Sequence, residues 1–278
     1  MIYSTEVWQD FDNKIKQFGV REDLRSLTTL ELNFFERYGS YVVVNLREFS
    51  STQPNNLMVL SEGDNFLYSS QKLDEENYKL FKYTLKKKYG ESTVLALMVL
   101  KKVLSNYSAD FEKINAEIDR QEEILDAVAI ERLGRHLRKL NDFVEDFLDV
   151  LIKLEDREVR EVNTSYISYD YDVLLGKTRH LLDRIKSHQA QITGLRNEIE
   201  LHSTRELNKR IENLTQIMRR LTAITVVLII PNIITGFYGM NFSSLPFADW
   251  MLGPLAVIIA SAVLMALGIV YFLKKGWL

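Results

Sequence analysis

Apolar residues change their spacing twice along this chain, and each change marks a different kind of element. In the first ninety residues they come in short runs. Tyr41-Val42-Val43-Val44-Asn45-Leu46 is β-branched and of strand length, and Leu57-Met58-Val59-Leu60 and Phe66-Leu67-Tyr68 flank the turn signal Gly63-Asp64. Such runs predict strands, with Gln53-Pro54-Asn55-Asn56 as a loop and Arg21 to Arg37 as a helix. From Ser92 the spacing becomes helical: Leu97, Leu100, Val103, Leu104, Tyr107, Phe111, Ile114, Ile118 and Leu125 share a face. No proline falls between Pro54 and Pro231, so residues 92–160 are expected to form long amphipathic helices. The polar tract from Asn163 to Tyr169 predicts a break. The next helix is expected to begin near Tyr171 and to meet no strong stop before Pro231. Its part before Leu221 spans roughly 75 Å at the α-helical rise, too long to fold back inside a small globule. It is therefore expected to leave as a stalk.

The third regime is continuous. Leu221 to Tyr238 is uncharged and near the length a bilayer requires, and Trp250 to Leu273 is a second uncharged run. From Leu221 to Leu273 the only charged residue is Asp249. The averages hide this, since 26% of the 278 residues are charged and the net charge is only −3. Arg219 and Arg220 precede the first run, Lys274 and Lys275 follow the second, and the connection between them has neither lysine nor arginine. Basic residues on both outer flanks predict cytoplasmic termini and a multi-pass protein of the cell membrane. Tyr238, Trp250, Tyr271 and Trp277 sit where interfacial aromatics belong. The alternative is a buried hairpin of a soluble protein. The domain expectation is a small α/β cytoplasmic domain (1–91), long helices with a stalk helix (92–220), and a transmembrane hairpin (221–278) with an outer loop over 239–249.

Within the first span a heptad register runs on from the preceding helix. Ile211, Leu214, Met218, Leu221, Thr225, Leu228, Asn232 and Thr235 alternate steps of three and four and so share one face. That face is apolar before the membrane and polar inside it, the reverse of a lipid-facing stripe. One reading is that copies of this helix surround a common axis, closed by Met218 and Leu221 and wet around Asn232. The other is that threonine and asparagine hydrogen-bond between helices as glue. A two-helix hairpin encloses no pore alone, so the first reading implies a symmetric oligomer.

At the end of this span stands Tyr238-Gly239-Met240-Asn241-Phe242. Gly239 lets the backbone turn, and Asn241 then presents an amide carbonyl. Mg²⁺ gives up its inner waters reluctantly, so neutral acceptors can hold the hydrated ion through those waters. A plain Gly/Asn helix cap explains the same residues.

These residues resemble the CorA family of magnesium transporters, whose signature is Gly-Met-Asn directly after the first of two C-terminal transmembrane helices. The likeness extends over Met218–Thr222 and Gly236–Phe242 and includes the basic ending Lys274-Lys275-Gly276-Trp277-Leu278. The resemblance implies an α+β cytoplasmic domain with a long helical stalk, a two-helix membrane domain, and a symmetric funnel-shaped homopentamer. It further implies uptake of Mg²⁺, with Co²⁺ or Ni²⁺ as passengers. By position, Gly239, Met240 and Asn241 carry over as selectivity filter, and Met218 and Leu221 as gate. Thr225, Leu228, Asn232 and Thr235 line the pore below the filter, and Lys274 and Lys275 belong to a basic collar. The sequence departs from the family at Leu245-Pro246-Phe247, where many members have Met-Pro-Glu.

The family also binds Mg²⁺ as a regulatory ion between subunits. Asp74, Glu75 and Glu76 on the small domain, and Asp170, Asp172 or Asp183 near the stalk, are the candidates, none with diagnostic spacing. The carboxylates at Asp142, Glu145, Asp146 and Asp149, and Lys86 to Lys88, read as solvated charge, so no nucleic-acid partner is expected. There are no cysteines, and no two of the four histidines have i, i+4 spacing. No phosphate-binding loop or nucleophile elbow occurs. A nucleotide-driven pump and an enzyme are therefore not expected. Two alternatives stay open: a Zn²⁺ transporter of the ZntB-like branch, against which Met240 argues, and a membrane-tethered helical scaffold.

Overall fold

Alternation within Tyr41–Arg47 sets the architecture of the first half. Tyr41 and Val43 point to one side of a sheet and Val42, Val44 and Leu46 to the other, and all five are buried. A strand covered on both faces has no polar side to show, which is why this run is almost continuously apolar. The computed structural model describes residues 1–20, 22–28, 32–49, 55–69, 75–155, 159–240 and 250–278. By contacts the chain falls into two units, Met1–Ile199 and Glu200–Leu278.

In the first unit, β1 (Ile2–Thr5), β2 (Phe34–Tyr38), β3 (Tyr41–Arg47), β4 (Asn55–Ser61) and β5 (Asn65–Tyr68) form a mixed sheet of order β1-β5-β4-β3-β2. Only the β1–β5 pair is parallel. One face packs on α1 (Trp8–Phe18), whose Phe11 and Ile15 lie one turn apart and are buried with Val43, Leu57, Val59 and Phe66. Helix α1 ends at Gly19, at φ 99°, whose N–H reaches the carbonyls of Ile15 and Lys16. The other face packs on α5 (Gly90–Ile124) and α6 (Ala127–Glu155). Short helices α2 (Leu24–Thr28), α3 (Glu75–Leu80) and α4 (Lys82–Leu85) fill the connections.

One expectation fails here. Residues 21–37 do not form a helix: α2 takes five of them, and Phe34–Tyr38 is instead β2, paired antiparallel with β3 through a turn at Gly39. A helical stretch would leave the edge of β3 without its hydrogen-bond partner. The aromatic pair Phe34-Phe35 also suits a pleated surface better than a helix.

The helical spacing from Ser92 resolves into α5 and α6, joined at Leu125 in the left-handed conformation (φ 54°). Leu97, Leu100, Leu104, Tyr107, Phe111, Ile114 and Ile118 are all buried, with Leu133, Leu137, Leu140, Phe147 and Leu151 of α6 in the same cluster. The break expected near 163–169 is a single 3-10 turn, Thr164–Ile167. After it α7 runs from Ser168 to Tyr238 without interruption. Tyr171, Leu174, Leu182, Ile185, Ile192 and Leu195 of α7 complete the core of this unit.

A buried polar knot ties β2, β3, α5 and α6 together. Asn33 donates through Nδ2 to the Tyr107 hydroxyl (2.9 Å) and to the Phe143 carbonyl (2.8 Å), and its Oδ1 accepts the Arg47 N–H at 2.7 Å. The Tyr107 hydroxyl donates onward to the Arg47 carbonyl. Burial holds the Tyr107 phenol well above its ordinary pKa. Burial, with the neighbouring Asp142, Asp149 and Glu145, pushes the Asp146 carboxyl up from the usual carboxylate range, against the opposing pull of the Asn33 backbone N–H. Asn33→Ala leaves the Arg47 N–H without its acceptor and removes a donor from Tyr107 and Phe143, at a cost of about 1–3 kcal/mol. Chemical denaturation followed by circular dichroism should show a lower midpoint at an unchanged slope.

The second unit contains the rest of α7 and α8 (Gly253–Lys274). Both carry segments long and apolar enough to cross a membrane, and within those segments only 11% and 6% of residues are buried. A core helix of a soluble protein would be mostly covered, so the buried-hairpin alternative loses its support.

Candidate functional site

Residues 218–238 of α7 present two chemically different faces. Ala223 and Val227 are buried, and Ile230, Ile234 and Tyr238 are half-buried. These recur every three or four residues and pack toward α8, where a Cβ at Gly268 would stand 3.4 Å from Val227 Cγ2 and 3.9 Å from Ile230 Cδ1. The stripe Met218, Leu221, Thr225, Leu228, Asn232, Thr235 is exposed throughout, with Met218 at 68% and Leu221 at 64%. At 100° per residue the centres of the two faces are roughly 150° apart. The centre of the stripe therefore points away from α8, while Leu228 and Thr235 at its edge border clefts shared with α8. Before it, residues 200–222 contain no buried position, and Leu207, Ile211 and Leu214 extend the same register.

Within the stripe the threonines have a fixed polarity. Thr225 Oγ1 donates to the Leu221 carbonyl at 2.9 Å, and Thr235 Oγ1 donates to the Pro231 carbonyl at 2.9 Å. A hydroxyl whose proton is committed to the backbone offers only lone pairs to its surroundings. Pro231 lies inside α7 and lacks an N–H, so the Val227 carbonyl loses its intrahelical donor there. The helix nevertheless continues to Tyr238.

Gly239 falls on the stripe side, four residues after Thr235. Its N–H bonds the Thr235 carbonyl at 2.9 Å, and a Cβ there would stand 3.2 Å from that oxygen. A side chain there would crowd the last helical turn by a few tenths of an ångström, while the backbone is not left-handed. Met240 is exposed, and its N–H reaches the Phe237 carbonyl at 3.3 Å. Asn241, with Leu245, Pro246, Phe247 and Asp249, lies outside the described residues.

Lys274 closes α8, and Lys275 follows as its cap. The Lys275 ammonium lies over the rings of Tyr271 (5.3 Å) and Trp277 (5.7 Å). The candidate regulatory carboxylates are not brought together. Asp74 lies outside the described residues, and of Glu75 only the backbone, at the start of α3, is described. Asp172 and Asp183 are exposed on one face of α7, but eleven residues of helix separate them by roughly 16 Å. They cannot share one ion within a chain. Among the described residues no three His, Asp or Glu side chains are placed to hold a metal.

A groove of about 520 Å³ that the sequence analysis did not single out lies between α5 and α7, lined by Lys101, Lys177, His180 and Arg184. The spacing of Lys177, His180 and Arg184 was the available signal. Two of these cations are already matched, Lys101 by Asp170 at 2.5 Å and Arg184 by Glu112 at 2.6 Å. The groove is better explained as a solvated, ion-paired face.

Comparison with known proteins now gives this geometry its setting. A family model described as CorA-like Mg²⁺ transporter protein matches residues 8–275. The cobalt/magnesium transport protein CorA of Thermotoga maritima is 25% identical over 266 residues, covering 89% of this chain and 72% of that protein. Among solved structures, the complete CorA magnesium transporter from Methanocaldococcus jannaschii aligns over 100% of this chain and 90% of its own, at TM-score 0.63 and 19% identity. The ZntB cytoplasmic domain from Vibrio parahaemolyticus aligns over 73% of this chain and 88% of its own, at TM-score 0.57 and 9% identity. These two structures speak to fold alone: a mixed sheet, long helices and, in the first, a membrane part. A match that runs from the α1 helix to the last turn of α8, over a chain whose last two helices suit a membrane, makes the conclusion plain: this chain belongs to the CorA-like Mg²⁺ transporter family.

Proposed function

We propose that several copies of this chain form a Mg²⁺ channel in the cell membrane, with both termini in the cytoplasm and uptake driven by the membrane potential. The observation that carries the reading is the stripe from Met218 to Thr235, polar at bilayer depth and facing away from α8. In a symmetric oligomer, five copies by family resemblance, that face lines the axis while α8 stands behind it. Thr225, Asn232 and Thr235 then supply neutral acceptors to the outward-pointing protons of the ion's water shell, which needs no stripping of inner waters. Met218 and Leu221, with Leu228 between the polar rings, form apolar constrictions that close by dewetting. Gly239 and Met240 bring Asn241 to the mouth as the selectivity ring, and Lys274 and Lys275 add a basic collar at the other end. The potential supplies about 4.6 kcal/mol for a divalent ion at 100 mV, enough for a gradient of roughly a thousandfold. Co²⁺ and Ni²⁺, whose hydrated ions are of the same kind, are expected passengers.

The test is uptake into liposomes that contain the purified protein and a Mg²⁺-sensitive dye, under an inside-negative potential. Asn241→Ala is expected to lose discrimination between Mg²⁺ and monovalent ions; parent-like selectivity rejects Asn241 as the filter. Zn²⁺ flux that follows a pH gradient instead supports transport of the ZntB kind. Absence of any flux supports a scaffold.

Regulation by Mg²⁺ between subunits is part of this reading, with Asp172 and Asp183 as candidate ligands alongside Asp74 and Glu75 on the small domain. Limited proteolysis of the oligomer at graded Mg²⁺ checks it. The double variant Asp172→Asn, Asp183→Asn should need about tenfold more Mg²⁺ for protection, because each lost charge weakens an oxygen-only site. An unshifted protection curve removes both residues from the sensor.

A further inference from the structure

We propose that the basic end of the membrane hairpin binds an anionic phospholipid, with the headgroup on four cations and an acyl chain in an apolar cleft beneath them. The proposal rests on the hairpin lying in a bilayer but not on its conducting ions. The cleft has a volume of about 410 Å³ and is walled by Ile224, Val227, Met265, Ile269, Leu273 and Leu278, with Leu228 of the stripe at its edge. That size lies within the roughly 300–1,000 Å³ of ligand pockets. Because Ile224 and Leu273 line the same cleft, the start of the first span and the end of the second lie at one level. Arg219 and Arg220 stand just before Ile224, and Lys274 and Lys275 just after Leu273.

This end of the hairpin is thus rich in cations and poor in anions. Among the described residues none of the four pairs with a carboxylate, and the nearest preceding acid is Glu212, about two turns before Arg219. The aromatic side chains give the surface a membrane-interface character. The Trp277 ring stacks on Phe272 at 5.6 Å, and the Trp277 backbone N–H donates to the Phe272 carbonyl at 3.0 Å through a turn at Gly276 (φ 67°). Lys275 is held over Tyr271 and Trp277, which orders its ammonium without neutralising it. Indole and phenol rings at headgroup depth, cations beside them and an apolar slot below match the three parts of a phospholipid. Charge decides its class: each nearby Lys or Arg favours an anionic headgroup by about fivefold, so a neutral zwitterionic lipid gains much less.

Native mass spectrometry of the detergent-purified full chain, equilibrated with an equimolar mixture of phosphatidylglycerol and phosphatidylcholine, tests this. Phosphatidylglycerol adducts should exceed phosphatidylcholine adducts at least tenfold. The fourfold variant Arg219→Gln, Arg220→Gln, Lys274→Gln, Lys275→Gln should lose the preference. The charge-preserving pair Lys274→Arg, Lys275→Arg should keep it, which separates charge from misfolding. Ile269→Trp, which fills the cleft, should lower retention of both lipids severalfold. Equal retention of the two lipids by the parent chain, or a preference that survives loss of the four charges, overturns the proposal. So does displacement by soluble glycerol phosphate, which would leave the cleft no role. Absence of retained lipid also overturns it and points to a second copy of the chain covering the cleft. Because bound lipid is the readout, failure here leaves the ion-flux assay to stand or fall separately.

Discussion

With Asn232 replaced by leucine, Mg²⁺ uptake into liposomes should fall at least 100-fold while the thermal midpoint moves little. A hydrogen bond to a charged group contributes about 1.5–3 kcal/mol, and in the proposed channel one leucine per copy around the axis removes one acceptor each from the path of the hydrated ion. A barrier higher by about 3 kcal/mol already slows passage more than 100-fold. The new side chains also extend the apolar stretch from Leu228, which favours dewetting. Stability should hardly respond. Asn232 is exposed, and among the described residues its side chain makes no hydrogen bond within the chain; only its backbone carbonyl accepts, from Thr235. The competing arrangement, with the stripe against lipid, predicts the opposite pair of results. Removing a polar group from hydrocarbon would then stabilise the protein and leave flux intact. Flux and melting of the same purified variant distinguish the two.

The second large effect is on folding. Gly90→Ala should destabilise the first unit by about 4 kcal/mol or more, because a Cβ at Gly90 would lie 1.8 Å from the Thr84 carbonyl oxygen and 2.8 Å from its carbon. Both are backbone atoms of α4, so no side chain can swing aside. Either α4 or the first turn of α5 must move. That turn carries Ser92 and Thr93, fully buried, whose hydroxyls hold the Glu161 carbonyl and the Asn163 N–H. Gly90 therefore anchors the start of α5 and, through those bonds, the irregular segment entering α7. For a unit of this size the expected fall in midpoint is about 8–16 °C, measurable by differential scanning calorimetry. A fall below about 2 °C would show that α4 shifts freely.

Much of the organisation was legible from periodicity because the forces that produce it are local. The step of three and four residues from Leu97 to Ile118 reports which side of a helix must avoid water, and every one of those positions is buried. The uncharged runs after Arg220 and before Lys274 report a solvent change, since charge in hydrocarbon is costly whatever its neighbours. The strand Tyr41–Leu46 was visible because burial on both faces leaves no polar position. Residues 21–37 misled for the complementary reason. Arg37 and Glu36 between aromatic residues fit either a helix or an edge strand, and what selects the strand is the unpaired edge of β3, a partner the local sequence cannot display. Helix α1 was legible too, since Trp8, Phe11, Ile15 and Phe18 recur at steps of three and four residues, although the sequence analysis did not assign it.

The sequence by itself determined the number of membrane runs, the register of the stripe that shares a face from Met218 to Thr235, and the basic residues that bound the hairpin. Those depend on transfer of side chains between water and hydrocarbon, and on 3.6 residues per turn. Tertiary structure alone decided which face of α7 meets α8, that Gly90 is held by crowding from the Thr84 carbonyl, and that an apolar cleft lies beside Lys274 and Lys275. Each of these is a relation between atoms brought together by packing, so no single stretch of the chain encodes it.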